Sequence, residues 1–269
     1  MAVPNVLVLT GYGINCDDET RLAFEKSGGR ADIIHINDII ETPSRLDRYQ
    51  VFAFPGGFSY GDDTGSGKAL AGRIMNNLLD EFRAFIARDT LMLGICNGFQ
   101  VMANLGIVPG LDGAIGTPMV SLEHNITSRY ICRWVDLEID KNSPAVFTRG
   151  IGRLHVPVAH GEGNFYAPAG TLERIEEKRL AVMRYAKPGG GRARGEQPFN
   201  PNGSLNDIAA VCDPTGRIMG MMPHPERNIL FTHREDWTWL KEKYRREGKD
   251  IPEEGEGLAI FRNAVNYFK

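Results

Sequence analysis

An α/β fold is what this sequence predicts: an open, mixed, mainly parallel sheet flanked by helices, with antiparallel additions in the second half. Two observations carry that prediction. Through the first half, short apolar runs of strand length alternate with segments of helical period, and strands separated by helices imply a parallel sheet with right-handed crossovers. After Pro109 the runs follow one another through turns, the connection that antiparallel strands use.

Asn5–Thr10 is a continuous apolar run, as expected of a strand covered on both faces. Asp18–Gly28 has helical character and stops at Gly28-Gly29. Ala31–Asn37 reads as a second strand and Gln50–Phe54 as a third, ended by Pro55-Gly56-Gly57. Gly67–Arg88 carries Leu70, Ile74, Leu78, Phe82 and Phe85 at helical spacing, so one stripe faces a core. Thr90–Ile95 is a fourth strand, and Asn97–Leu105 a helix closed by Gly106. Tyr130–Ile139, Gly152–His160, Leu180–Tyr185, Asp207–Cys212 and Arg217–Met222 read as further strands. Lys187–Asn202, with four glycines and three prolines, reads as a surface loop. His233–Gly248 is charged and helical, Pro252–Gly257 is an acidic turn, and Leu258–Phe268 closes the chain as an amphipathic helix. The expected organisation is one domain over 1–230 and a helical extension over 231–269, packed on that domain or turned towards a partner.

Apolar residues make up 42% and charged residues 24% of 269, an ordinary balance with enough apolar material for a sizeable core. A formal net charge of −3 gives no basic footprint for nucleic acid or a membrane surface. No apolar run approaches the ~20 residues of a spanning helix. Met1–Thr10 lacks a basic leader and cleavage site, so the expected location is the cytoplasm. The four cysteines, Cys16, Cys96, Cys132 and Cys212, have no C-x-x-C spacing and are expected reduced. Cys132 and Cys212, inside strand-like runs, read as small buried hydrophobes.

Gly94-Ile95-Cys96-Asn97-Gly98 follows a strand and precedes a helix, the nucleophile-elbow pattern with cysteine in place of serine. A sharp strand-to-helix turn strains the backbone at the nucleophile, and small neighbours two residues away relieve the crowding. The helix N-terminus favours a thiolate and offers N–H groups to an oxyanion. A bare G-x-C-x-G is as often a buried cysteine in a turn; the strand before it and the helix after it point to function. Met222-Pro223-His224-Pro225-Glu226 follows the last strand. In an extended segment, residues i and i+2 share a side, so a carboxylate on Glu226 can orient the imidazole of His224. Alone this pair reads as a solvated loop; behind an elbow cysteine it completes the order Cys96, His224, Glu226. Pro55-Gly56-Gly57 ends another strand, where glycine lets backbone N–H groups approach a substrate.

At these residues the chain resembles the class I, or triad-type, glutamine amidotransferases, which implies a flavodoxin-like fold and an amidotransferase domain over 1–230. A finer resemblance is to the glutaminase subunits of phosphoribosylformylglycinamidine synthase. It is carried, in order, by Gly56–Asp62, Gly94–Gln100, His160-Gly161-Glu162-Gly163-Asn164, Asn200-Pro201-Asn202-Gly203-Ser204 and Gly220–Arg227. The resemblance implies that Cys96 is the nucleophile, His224 the base and then acid, and Glu226 its orienter. It places the oxyanion hole at the N–H groups of Gly57 and Asn97, and glutamine binding at Gln100, Gly56, His160, Gly161 and Glu162. It implies glutamine as substrate, no metal or cofactor in this chain, and ATP with magnesium on a large synthetase partner, and leaves open a third small subunit. Two departures stand against the family pattern: the polar stretch Asp63–Lys68, and the continuation over 233–269.

Gly61–Lys68 fails as a phosphate loop, with Asp62 and Ala69 at positions that need glycine and Ser or Thr. Asn125-Ile126-Thr127 and Asn202-Gly203-Ser204 fit the glycosylation pattern, but not in a cytoplasmic chain. His35, His124, His155 and His233 lack metal-ligand spacing. Cys16, beside Asp17 and Asp18, reads as a poor nucleophile, with 15–17 a candidate partner surface. Two rival functions are a stand-alone cysteine hydrolase and a catalytically idle interaction module.

Overall fold

The computed structural model of the chain describes residues 3–113 and 115–269. The first half forms β1 (Asn5–Thr10), α1 (Asp17–Lys26), β2 (Arg30–His35), α2 (Ile36–Glu41), β3 (Val51–Phe54), α3 (Lys68–Ala87), β4 (Leu91–Ile95) and α4 (Asn97–Asn104). The second half adds β5 (Ser121–His124), β6 (Ile131–Ile139), β7 (Arg153–His160), β8 (Glu162–Tyr166), α5 (Ala169–Glu177), β9 (Ala181–Ala186), β10 (Ile208–Cys212) and β11 (Ile218–Met221). It closes with α6 (Trp237–Arg246) and α7 (Leu258–Asn266).

Nine strands share one sheet in the order β2-β1-β3-β4-β11-β10-β9-β6-β7. The first five are parallel and the remaining pairings antiparallel, so the mixed sheet with antiparallel additions is present. The apolar stripe of α3 is buried as its spacing predicts, with Phe82 and Phe85 packed on Phe52 at ring separations of 5.1 and 6.1 Å. Each such side chain contributes about 1.5–3 kcal/mol on burial. In the last two helices the periodicities differ in consequence. Leu258, Phe261 and Val265 of α7 are buried, with Phe261 edge-on to Phe24 of α1 at 5.0 Å, whereas α6 buries no residue.

Register sets the functional geometry. Phe54 of β3 pairs with Gly94 of β4, and Gly94 and Ile95 pair with Gly220 and Met221 of β11. The carboxyl ends of β1, β3, β4 and β11 therefore lie side by side, and the loops that leave them converge on one crevice, as in other open α/β sheets.

Four local expectations differ from the structure. Ile36 and Asn37 belong to α2 rather than to the second strand, because the His35 Nδ1 accepts the Asn37 N–H at 3.1 Å and starts a helix there. Cys132 is exposed, not buried: β6 joins β9 only from Asp136 onwards, so its first half is covered by β7 alone. The 187–202 segment is not all surface, since Asn200 and Asn202 are wholly buried. α5 and the separate β5–β8 ribbon carry few apolar residues in any one period, whereas α2 has Ile36, Ile39 and Ile40 at helical spacing but is too short to stand out beside the strand it follows.

Candidate active site

Cys96 sits between β4 and α4 with φ 51° and ψ −108°, a backbone conformation that non-glycine residues adopt only when the surroundings impose it. Its N–H donates to the Met221 carbonyl at 2.8 Å and its carbonyl accepts from the Gln100 N–H at 3.1 Å, so neighbouring strand and following helix both hold it. The flanking glycines are required by packing. A Cβ on Gly98 would overlap the Phe54 carbonyl oxygen, and one on Gly94 would overlap the Met102 sulfur. Gly98→Ala is expected to cost about 3 kcal/mol or more, because the contact is with backbone that cannot move aside. Urea unfolding would register it as a lowered midpoint, and an unchanged midpoint would refute the packing argument.

His224 is held just past β11, its N–H donating to the Pro157 carbonyl at 2.8 Å. Its Nδ1 is 2.5 Å from Glu226 Oε1, and both side chains are buried. The carboxylate only accepts, so the proton of this bond belongs on Nδ1 and Nε2 is left free; Nε2 is buried without a protein partner. The pairing arises in a 3-10 turn over Pro225–Arg227, not in the extended segment expected from the prolines. Burial alone would lower the His224 pKa, but Glu226 and then Cys96 raise it well above the ordinary imidazole range.

The Gly56 carbonyl accepts from the N–H groups of Asn15 and Cys16 at 3.3 and 3.2 Å. That fixes the Gly56–Gly57 peptide and turns the Gly57 N–H away, leaving it without a partner among the described residues. Gly57 has φ 150°, and a Cβ there would lie 2.6 Å from the Gly13 carbonyl oxygen, so only glycine fits. The Asn97 N–H, in the first turn of α4, is likewise free among the described residues. The Asn97 side chain is engaged elsewhere, accepting from the Ser59 N–H at 3.2 Å and donating to Gln100 Oε1 at 2.9 Å.

Gly57, Cys96, Gln100, His160, Gly161 and Glu162 line one cavity of about 200 Å³. Gln100 is a latch as well as a wall: its Nε2 donates to the Glu162 carbonyl at 2.5 Å and ties α4 to the β7–β8 corner. Gly56 and Asn97 stand behind this surface. Phe58, Asp62, Ser66, His124, Tyr130 and Ala159 also line it; the sequence does not single out Asp62 or Tyr130, although Asp62 ends one of the family segments. Burial raises the Asp62 pKa, opposed by hydrogen bonds from Ser66, the Gly67 N–H and Asn97. The Ser66 N–H donates to Glu162 Oε2 at 3.1 Å. Within the 61–68 loop, the Ser66 and Gly67 N–H groups meet carboxylates of Glu162 and Asp62, and those of Gly61, Gly65 and Lys68 donate to backbone carbonyls, so none of these is open to a phosphate.

The His160 side chain, besides lining the cavity, is tied into a buried network. Its Nδ1 donates to Asn125 Oδ1 at 3.0 Å, and Nε2 faces the Asn202 amide at 3.5 Å. Asn202 also donates to the Gly163 carbonyl at 2.7 Å and to the Tyr185 hydroxyl at 3.0 Å. The two asparagines of the glycosylation patterns are therefore buried network members, closed to modification by geometry. Burial, then the nearby His224, pushes the His160 pKa down to about 3. A group with a depressed folded pKa and an unfolded value near 6.5 stabilises the fold above ~6.5, and the contribution is lost as pH falls towards the folded value. Between pH 6.5 and 4, wild type should lose more unfolding free energy than His160→Gln, which starts less stable but has no imidazole to protonate. Parallel slopes in urea titrations at several pH values would contradict this.

Residues 3–268 match the model of the CobB/CobQ-like glutamine amidotransferase domain. The subunit PurQ of phosphoribosylformylglycinamidine synthase from Methanococcus maripaludis strain S2 is 50% identical, over 99% of this chain and 98% of the relative. The PurQ subunit from Dehalococcoides mccartyi is 39% identical over the same shares. These alignments take in residues 233–269, so the continuation past the His224 segment is shared with such relatives and is not a departure from them. Among solved structures, PurLQS from Thermotoga maritima aligns over all of both chains, with a TM-score of 0.70 and 27% identity. The chain therefore belongs to the CobB/CobQ-like glutamine amidotransferase domain family.

Proposed function

We propose that this chain is the glutaminase subunit of a phosphoribosylformylglycinamidine synthase, hydrolysing glutamine to glutamate and ammonia for an ATP-dependent synthetase of purine biosynthesis. The observation that carries the reading is the placing of Cys96 on the wall of a cavity of amino-acid size, with the buried His224–Glu226 pair near enough for Cys96 to act on the imidazole. The relatives named as subunits of that synthase support the substrate and the partner.

Glutamine enters with its side-chain amide at Cys96 and its α-ammonium towards Asp62 and Glu162, the two carboxylates at the cavity wall. Cys96 gives its thiol proton to His224 Nε2, the sulfur attacks the amide carbon, and the oxyanion meets the N–H groups of Gly57 and Asn97. His224 Nε2–H gives its proton to the departing ammonia, leaving a γ-glutamyl thioester. His224 Nε2 takes a proton from water, the resulting hydroxide attacks the thioester carbon, the C–S bond breaks to release glutamate, and the proton on Nε2 returns to the Cys96 sulfur. Gln100, Gly56, Gly161 and Glu162 shape the cavity around glutamine, while His160 holds the corner that carries Gly161 and Glu162.

No metal or cofactor is assigned to this chain; ATP and magnesium belong to the large synthetase subunit, with a third small subunit a further component. The likeness to PurLQS supports such an assembly. Residues 1–230 are the proposed amidotransferase domain. Within 231–269, α7 stays on that domain and α6, which buries nothing, is free to face the partner. No described helix is long and apolar enough to cross a membrane, and the cytoplasm is the proposed location.

Peptide mapping after treatment with 6-diazo-5-oxonorleucine tests the reading. A single adduct on Cys96, blocked by excess glutamine, is expected, at the latest once the synthetase and ATP are present. Labelling elsewhere, or none in a verified complex, would leave the hydrolase or interaction-module reading in its place.

A further inference from the structure

Cys16 lies outside the reacting set, yet it is wholly buried against it. A Cβ built on Gly56 would meet His224 Cε1 at 2.7 Å, Cys16 Sγ at 3.2 Å and His224 Nδ1 at 3.4 Å, so sulfur and imidazole edge close on the same spot. The Cys16 sulfur, a His224 ring nitrogen and a Glu226 carboxylate oxygen all lie within 4.8 Å of one another. Arg227 Nη2 donates to the sulfur at 3.0 Å, and the thiol faces Asn15 Oδ1 at 3.3 Å. Cys16 is thus the only cysteine besides Cys96 among the described residues that reaches the histidine, and it does so from a different strand end.

From this arrangement, and resting on the glutaminase reading above, we infer that Cys16 is a positioning residue for His224. The loop that leaves β1 holds the imidazole edge through the Cys16 sulfur and anchors, through Arg227, the turn that carries Glu226. The same loop does a second thing. The N–H groups of Asn15 and Cys16 fix the Gly56 carbonyl and so aim the Gly57 N–H. One segment therefore sets both the oxyanion donor and the base, which must agree in position to within a fraction of an ångström for the chemistry to proceed.

Two other tasks are excluded by the surroundings. A divalent cation among Cys16, His224 and Glu226 would have to displace the guanidinium now on the sulfur, and would take the nitrogen that Glu226 orients. A partner-facing role, expected for 15–17 from the sequence, fails for Cys16 because it has no exposed surface. Its adjacent acids have other partners: Asp17 accepts from the Thr10 hydroxyl at 2.5 Å and Asp18 lies 3.5 Å from Arg21.

The test compares Cys16→Ala and Cys16→Ser with wild type, as full chains in complex with the synthetase, measuring glutaminase kcat and KM across pH together with thermal unfolding. The groups that face His224 are Glu226 and Arg227 from its own turn, Cys16 from the β1 loop, Cys96 from the elbow, His160 from β7, and Tyr130. With one of them removed, Cys16→Ala should lower kcat by ~10- to 100-fold with KM within about threefold, and should move the pH limb that reports His224 to lower pH. Serine keeps an acceptor for Arg227 and should recover most of the rate, staying about two- to fivefold below wild type with the pH limb still moved to lower pH. Wild-type kcat and an unmoved pH limb in both variants would overturn the inference, as would a loss of rate that follows thermal stability alone. Should the alanine variant not fold, the serine variant decides, and a change below about twofold with an unmoved limb counts against it. Failure of wild type itself to label at Cys96 would instead sink the glutaminase reading, so the two failures are told apart.

Discussion

Cys96→Ala is expected to abolish glutamine hydrolysis, by roughly 10⁵-fold or more, while leaving the fold and binding to the synthetase intact. The rate loss follows from the absence of any substitute nucleophile. Among the described cysteines, Cys132 is exposed on β6, Cys212 is buried in β10 with its thiol pushed up to about 12 by burial, and Cys16 is walled off behind Gly56. What the variant retains are the free N–H groups of Gly57 and Asn97, which still polarise a bound amide but form no covalent bond with it. The stability change should be small, about 1 kcal/mol, because alanine at φ 51° bears the same strain as cysteine and only one heavy atom is lost. Steady-state glutaminase assays on the complex and co-purification with the synthetase check the two halves separately. Retained hydrolysis with a lost complex would reverse the assignment.

Glu226→Gln should lower kcat by roughly 10³- to 10⁴-fold with little change in KM, since the carboxylate acts through the histidine and not on substrate. The geometry supports a large effect: Glu226 is wholly buried, and its Oε1 is 2.5 Å from His224 Nδ1, so no water substitutes for it. A neutral carboxamide still fits but no longer stabilises the imidazolium on which proton delivery to ammonia depends. The pair also leaves a signature in stability. His224 has a folded pKa raised well above 6.5, so its contribution is fully present below the ordinary histidine range and is lost as pH rises through the raised value. The destabilisation caused by Glu226→Gln should therefore be larger at pH 6 than at pH 9. Urea unfolding at the two values measures this directly, and equal losses would mean that His224 is not charged in the fold.

The elements that were legible in the sequence are those in which one physical pattern dominates. β1, β3 and β4 are unbroken apolar runs, α3 holds five apolar residues on one stripe, and the spelling around Cys96 reflects packing contacts that Gly94 and Gly98 alone can make. The partnership of His224 and Glu226 was legible too, although its geometry came from a 3-10 turn and not from an extended strand. His160, Asn125 and Asn202 were visible only as parts of family segments. Nothing local distinguishes an asparagine that builds a buried network from one in a solvated loop, because the difference lies in partners 17 to 42 positions away.

By itself, then, the sequence determined the alternation of strands and helices, the elbow at Cys96, and the pairing of His224 with Glu226. All of these depend on neighbours within a few positions, through backbone sterics, side-chain period and hydrogen bonds in a single turn. The tertiary structure alone decided that the ends of β1, β3, β4 and β11 meet, that Cys16 stands against His224 rather than at the surface, and that His160 supports the cavity from beneath. Those outcomes follow from strand order and register, which are set by how the whole apolar surface is buried at once and which no stretch of the chain specifies alone.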